Sequence, residues 1–303
     1  MRAKLSAPLG PQIMRESAKN QALPLNTGAI VLSRRPSASE PPKASRATAR
    51  PGTGSLGRGI KVLRMVASRP EVGWRLCDLA IACDEDRATV HRALTRLVEE
   101  RLVRQRPDDR HYLPGPMLFE LGLALPDHAQ FQRSAETILR AFAHEMTCVA
   151  MLFLKSGNDF VCIVREGTAP HTGTMIQLGT RRPLITSAGG VAMLQTLPAA
   201  EVTRIVAENT NREIGRHGRA RLEGLQRMRE RSAHFGIGVN LGDLVAHSFA
   251  YSQPVRNSAG DAFAAVVMMG KPEQFPESQV DELRVKLRRI ADALEIESAK
   301  LDA

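Results

Sequence analysis

Residues 76–113 read LCDLAIACDEDRATVHRALTRLVEERLVRQRPDDRHYL, and the order of apolar, acidic and basic residues in this stretch decides the fold of the front of the chain. A short apolar segment, Leu76 to Ala82, runs into the polar turn Cys83-Asp84-Glu85-Asp86, after which Val90, Leu94, Leu97 and Val98 recur at helical spacing. The acids of the turn suit the start of the helix that follows, where they cap it and complement its positive end. Short helix, tight turn, helix is the helix-turn-helix arrangement. On a wheel of about 100° per residue, the arc opposite the apolar positions holds Ala88, Arg92, Thr95 and Arg96, with Thr89 beside it. Arg92 and Arg96 stand one turn apart, so both guanidinium groups reach a major groove to pair with guanine or phosphate.

After this helix, Leu102 to Arg106 and His111 to Leu113 flank the turn-forming Pro107-Asp108-Asp109-Arg110, which predicts a two-stranded wing. Arg87 and His91 beside the helix face, and Arg104, Arg106 and Arg110 on the wing, are the expected phosphate contacts. Any one of these arginines reads equally well as a solvated surface side chain. Short helix, turn, arginine face and basic wing together point to double-stranded DNA. Upstream, Leu56, Ile60, Leu63 and Val66 predict a helix that ends before Arg69-Pro70. Downstream, Pro114-Gly115-Pro116 interrupts the chain before Met117 to Leu125, an apolar helix suited to linking domains or pairing with a second subunit, closed by Pro126.

A chain of 303 residues with 43% apolar content has room for two domains. The net charge of +10 divides unevenly: +7 falls on residues 1–52, +3 on 53–113 and zero on the rest. A polyanion is therefore expected at the front and a different partner at the back. Residues 1–54 have the Pro-, Ser-, Ala- and Arg-rich composition of a disordered basic arm; 55–115 are read as the winged helix-turn-helix, 116–126 as the linker and 127–303 as the second domain. With no run of roughly 18 apolar residues and no secretory signal, a cytoplasmic protein without membrane contact is expected. Cys77, Cys83, Cys148 and Cys162 lack zinc-site or disulfide spacing and read as reduced packing residues. His144 and Cys148 share a helix face without a second ligand pair, so neither metal nor cofactor is expected.

From Phe131 onward helices alternate with strands. Phe131 to Met146 is helical; Val149 to Leu154 and Phe160 to Val164 bracket the hairpin signal Ser156-Gly157-Asn158-Asp159. Further strands are expected at Met175 to Leu178, His247 to Val255 and Phe263 to Met269, and helices at Ala188 to Leu197, Ala200 to Glu208, Arg219 to Phe235 and Gln279 to Leu301. A sheet dressed with helices is a cradle for a small molecule. His247, Ser248 and Asp243 are chemically able to form a hydrolytic set, but no G-x-S-x-G elbow, P-loop or metal spacing accompanies them, and no enzyme is expected. A protein that coats DNA without choosing sequence is the other reading of the basic arm.

The segments SLGRGIKVL, RATVHRALTRLVEERLVR, HYLPGPMLFELG, LGTRRPLITSAGGVAML and PVRNSAGDAFAAVVMMG, in this order, resemble the isocitrate lyase regulator (IclR) family of bacterial transcription factors from about Ser55 to the C-terminus. The resemblance implies an α+β chain of a winged helix-turn-helix, a linker helix and a GAF-like effector-binding domain, acting as a homodimer or dimer of dimers on palindromic operators. It places the effector against the loop from Pro183 to Gly190, including Leu184, Ala188 and Gly189, whose small residues let backbone amides face a carboxylate, with Ser248 nearby. On the opposite wall, members that bind small oxo-acids carry an aspartate, a cysteine and two serines. Asn240, Ala250, Val267 and Met269 match those positions here. Losing hydroxyl and thiol partners disfavours a tiny polar acid and favours a larger, partly apolar carboxylate, aromatic or phenolic; a pocket that has lost its ligand is the alternative.

Overall fold

The computed structural model describes residues 53–168 and 176–301. Residues 1–52 of the expected arm lie outside the described residues, whereas Thr53 and Gly54 already belong to the first helix.

Helices α1 (Thr53–Ala67), α2 (Leu76–Cys83) and α3 (Arg87–Glu99) pack around Val62, Val66, Leu79, Val90 and Leu94, each no more than 1% exposed. Strands β1 (Val103–Gln105) and β2 (Tyr112–Pro114) pair antiparallel, with Arg104 opposite Leu113. A bridge between Trp74 and Tyr112 ties this hairpin to the loop before α2. Two expectations need correction. Val98, placed on the apolar arc of α3, is 37% exposed: the helix ends one residue later, and in its last turn Leu97 makes the contact with the core. On α1, Val62 and Val66 form the core contact, while Leu56 and Ile60 face outward.

The linker departs from a single helix closed by proline. Helix α4 (Met117–Gly122) stops short of Leu125, and Pro126 opens α5 (Pro126–Met146) at its first turn, where a missing N–H costs nothing. Arg101, just past α3, pairs with Glu120 at 2.6 Å and so anchors α4 to the end of α3.

The back of the chain is built on an antiparallel sheet of six strands among the described residues, in the order β5-β4-β3-β8-β7-β6. These are β3 (Val149–Ser156), β4 (Asp159–Glu166), β5 (Arg181–Pro183), β6 (Gly238–Leu241), β7 (Phe249–Arg256) and β8 (Ala262–Gly270). Of the strand expected at Met175 to Leu178, Met175 lies outside the described residues and 176–178 run as loop and turn; the edge strand comes later, at Arg181. Between β5 and β6 lie α6 (Ala188–Leu194), α7 (Ala199–His217) and α8 (Leu222–Phe235); α9 (Val280–Ser298) follows β8. Successive residues of a strand point to opposite faces. On β8, Ala264, Val266 and Met268 therefore enter the core against α5 and α9, while Ala265, Val267 and Met269 enter a second core under α6, α7 and α8. The stripe Phe131, Ala135, Leu139 and Phe142 on α5, buried at three- and four-residue spacing, seals the first layer.

Candidate nucleic-acid interface and ligand cavity

Helix α3 is started by its own sequence. Asp86, in extended conformation, accepts a hydrogen bond from the Thr89 amide at 2.8 Å, and Asp84 before it takes a left-handed conformation that ends α2. The turn is thereby closed in three residues. With Val90 and Leu94 sealed inside, Ala88, His91, Arg92, Thr95 and Arg96 are exposed along one side. Arg92 donates to the Thr89 hydroxyl at 2.9 Å, the Thr95 hydroxyl donates to the His91 carbonyl, and Arg96 pairs with Glu99 at 2.7 Å. These are exposed contacts, each weak enough for phosphate or a base edge to replace.

Arg87, Ala88, His91, Arg92 and Arg110 line one cleft between α3 and the wing. Arg75, which precedes α2, and Gln105 on β1 line it too, and neither was expected from sequence. Arg104 is exposed on β1. Arg106, expected at phosphate, is engaged within the protein: its guanidinium donates to Asp109 at 2.9 Å and to the Val72 carbonyl at 2.8 Å, so it braces the wing against the loop before α2. The hydrogen bond from Arg106 holds the Asp109 carboxyl down at about 2, well below its ordinary value.

The second site is a cavity of about 270 Å³ under α6, α7 and α8. Register explains how distant residues meet there. Asn240 on β6 lies opposite Ala250 on β7, and Ala250 opposite Met269 on β8, giving one row across the sheet; Val267 stands two residues along β8, opposite Met151 on β3. These four expected positions all line the cavity, with Ala188 and Ser248. Leu184 and Gly189 do not. Leu184 is fully buried behind the cavity, and a Cβ on Gly189 would sit 2.7 Å from Phe153 and Val267. Within this loop Ser187 accepts from the Gly190 N–H at 2.9 Å and the Leu184 amide donates to the Asn158 carbonyl at 3.2 Å, and a Cβ on Gly190 would lie 1.9 Å from the Leu184 carbonyl oxygen. Gly189 thus allows α6 to pack closely on the sheet, and Gly190 allows it to pack on the Leu184 backbone before it.

A cationic wall escaped the sequence reading. Arg182 on β5, Arg216 and His217 at the end of α7, and Arg221 before α8 line the cavity together with Glu213. Helix α7 buries Ile205, Asn209 and Glu213 four residues apart, so its inward stripe turns from apolar to polar as it reaches the site. Asn209 is satisfied by the Asn158 carbonyl at 3.1 Å. Burial pushes the Arg182 guanidinium below its usual range, Arg221 adds to that effect, and Glu213 opposes it. His247, Ser248 and Asp243 form no hydrolytic arrangement: Asp243 is held by Arg227 and Arg231 and accepts the Leu241 amide, which ties down the β6–β7 loop.

Residues 55–107 match the family described as the IclR helix-turn-helix domain, and residues 125–296 match the one described as bacterial transcriptional regulator IclR C-terminal. The chain is 26% identical over 237 residues to the "Probable transcriptional regulator SauR" of Cupriavidus necator, spanning 78% of this chain and 94% of that one. It is similar in fold to an IclR family transcriptional regulator from Brucella abortus, with a TM-score of 0.61 at 20% identity, covering 79% of this chain and 90% of the other. It is also similar to an IclR homologue from Microbacterium hydrocarbonoxydans solved with 4-hydroxybenzoate, with a TM-score of 0.58 at 17% identity, covering 80% and 98%. Among the described residues no helix is long and apolar enough to cross a membrane.

Proposed function

The chain belongs to the IclR family of bacterial transcriptional regulators, and from that premise we propose that it binds a palindromic operator as a homodimer, with affinity set by a small carboxylic acid in the cavity. It is a transcriptional regulator with a DNA-binding helix-turn-helix domain and a ligand-binding C-terminal domain. The observation that carries the proposal is α3: Val90 and Leu94 are sealed, and Ala88, Arg92, Thr95 and Arg96 are presented outward beside a wing. This is the arrangement a recognition helix needs to read base edges while the wing contacts phosphate. Pairing of two copies is supported by apolar side chains left outside: Leu56 and Ile60 on α1, and Phe119, Leu121, Leu123 and Leu125 in and after α4, all at least 42% exposed.

The apolar floor of Met151, Phe153, Ala250, Val267 and Met269 suits a ring-bearing acid better than a two- or three-carbon one. The 4-hydroxybenzoate found in the Microbacterium protein supports that class. For the ligand to act, it must favour one arrangement of the DNA-binding domains over another. Footprinting on DNA upstream of the chain's own gene, with and without aromatic acids, tests the proposal. A protected, salt-resistant palindrome whose occupancy changes with acid supports it; binding that ignores sequence, or none, sinks it.

A further inference from the structure

We propose that the cavity takes a dianion, a small organic acid carrying two anionic groups on an apolar body, and discriminates against monocarboxylates of the same shape. This rests on the effector reading above and narrows it. Arg182, Arg216, Arg221 and His217 come from β5, the end of α7 and the residue before α8, and all four line one cavity. Glu213 is the single carboxylate among the described lining residues. It is 3% exposed and lies 3.7 Å from Arg221 and 4.0 Å from His217. Three guanidinium groups against one carboxylate leave two positive charges in excess with the imidazole neutral.

Arginine does not discharge by losing a proton near neutral pH, so crowded guanidinium groups in a partly desolvated site repel one another until an anion arrives. Burial first, and then the nearby Arg221, push the Arg182 guanidinium below its usual range, in keeping with that crowding. A monoanion offsets one of the two excess charges and a dianion both. The guanidinium fork matches a carboxylate in bidentate geometry, which a hydroxyl or methyl cannot reproduce. The floor of Met151, Phe153, Val267 and Met269 offers no charge and receives the carbon body.

The test uses the full chain and pairs of acids equal in shape and unequal in charge: terephthalate against 4-methylbenzoate, and adipate against hexanoate. Isothermal titration reads affinity and thermal melting reads the unliganded protein. The dianion of at least one pair is expected to bind about ten-fold or more tightly than its partner, and Arg216→Gln, on an exposed side chain, to bring that ratio close to one. If Arg216 only stabilises the end of α7, the variant lowers the unliganded melting temperature and leaves the ratio intact, which overturns the proposal. Monoanions that bind as tightly as dianions overturn it while leaving the effector reading standing. If neither charge class binds, both readings fall. Arg221→Gln is the second variant; its partner Glu213 is buried, so its ratio is read only where the melt shows a folded protein.

Discussion

Asp86 Oδ1 accepts the Thr89 amide at 2.8 Å, so the helix that carries the arginine face begins where its own side chain fixes it. Asp86→Ala removes that cap and is expected to lower the unfolding midpoint of the helix-turn-helix by a few degrees in calorimetry, while Asp86→Asn stays near wild type at neutral pH. The Thr89 hydroxyl and amide hold the Asp86 carboxyl below its ordinary 3.8. The cap's contribution is therefore complete above about pH 4 and is lost as the pH falls through the lower folded value.

The brace between Arg106 and Asp109 makes a separate prediction for the wing. Asp109 titrates at about 2, held down first by the Arg106 hydrogen bond. Its depressed value means stability present above about pH 4 and lost as the pH falls toward 2. In Arg106→Gln the Asp109 carboxyl, followed by NMR, is expected to titrate higher than in the wild type while the His111 amide and imidazole still hold it below its ordinary value. Wing amides should then exchange faster, because Val72 also loses its donor. An unchanged Asp109 titration would refute the brace.

Arginines on the two elements are expected to separate by what they read. Arg92→Ala and Arg96→Ala should each cost about 1–3 kcal/mol of operator affinity and relax preference at one base position, measured by competition with altered operators. Arg104→Ala should weaken operator and random DNA alike and reduce the slope of log affinity against log salt by about one.

Gly190 and Gly189 give a graded test of close packing. Alanine at 190 drives a methyl into the backbone oxygen of Leu184, which cannot move without shifting the β5–α6 connection. Gly190→Ala is expected to destabilise by about 3 kcal/mol or more in urea unfolding, and Gly189→Ala, which meets the side chains of Phe153 and Val267, by about 1–3 kcal/mol. A stable Gly190→Ala protein would show that the connection repacks.

For assembly, the double substitution Phe119→Asp and Leu121→Asp places charge on side chains that are 72% and 56% exposed and outside the core. Folding should survive. Sedimentation should report a lighter species than wild type and operator affinity should fall at least about ten-fold, because one half-site is then bound at a time.

The helix-turn-helix was legible because three short-range signals coincide between residues 76 and 99: apolar spacing, a capping acid and a basic outer arc. The cavity wall was legible through matched positions, since Asn240, Ala250 and Met269 fall on one cross-strand row. What stayed hidden has physical reasons. Strand β6 is four residues long and starts on Gly238, too short for alternation to register, and β5 displays two arginines whose half-burial no periodicity reveals. Helix α7 continues nine residues beyond its expected end at Glu208, because Asn209 and Glu213 occupy inward positions where the sequence pattern looks for carbon. Arg216 and His217 consequently fell between the expected helices, and the charged side of the cavity went unseen.

The sheet also partitions the chain's freedom to change. Ala264, Val266 and Met268 are locked between β8 and the α5–α9 layer, while Ala265, Val267 and Met269 on the same strand look the other way. Substitutions at Ala250, Val267 or Met269 are therefore expected to change the lining of the cavity while leaving the α5–α9 layer on the other face of the sheet in place. New chemical sensitivities are accessible by exchanging side chains on one surface of a scaffold whose other surface remains untouched, a division suited equally to evolutionary drift and to the construction of biosensors.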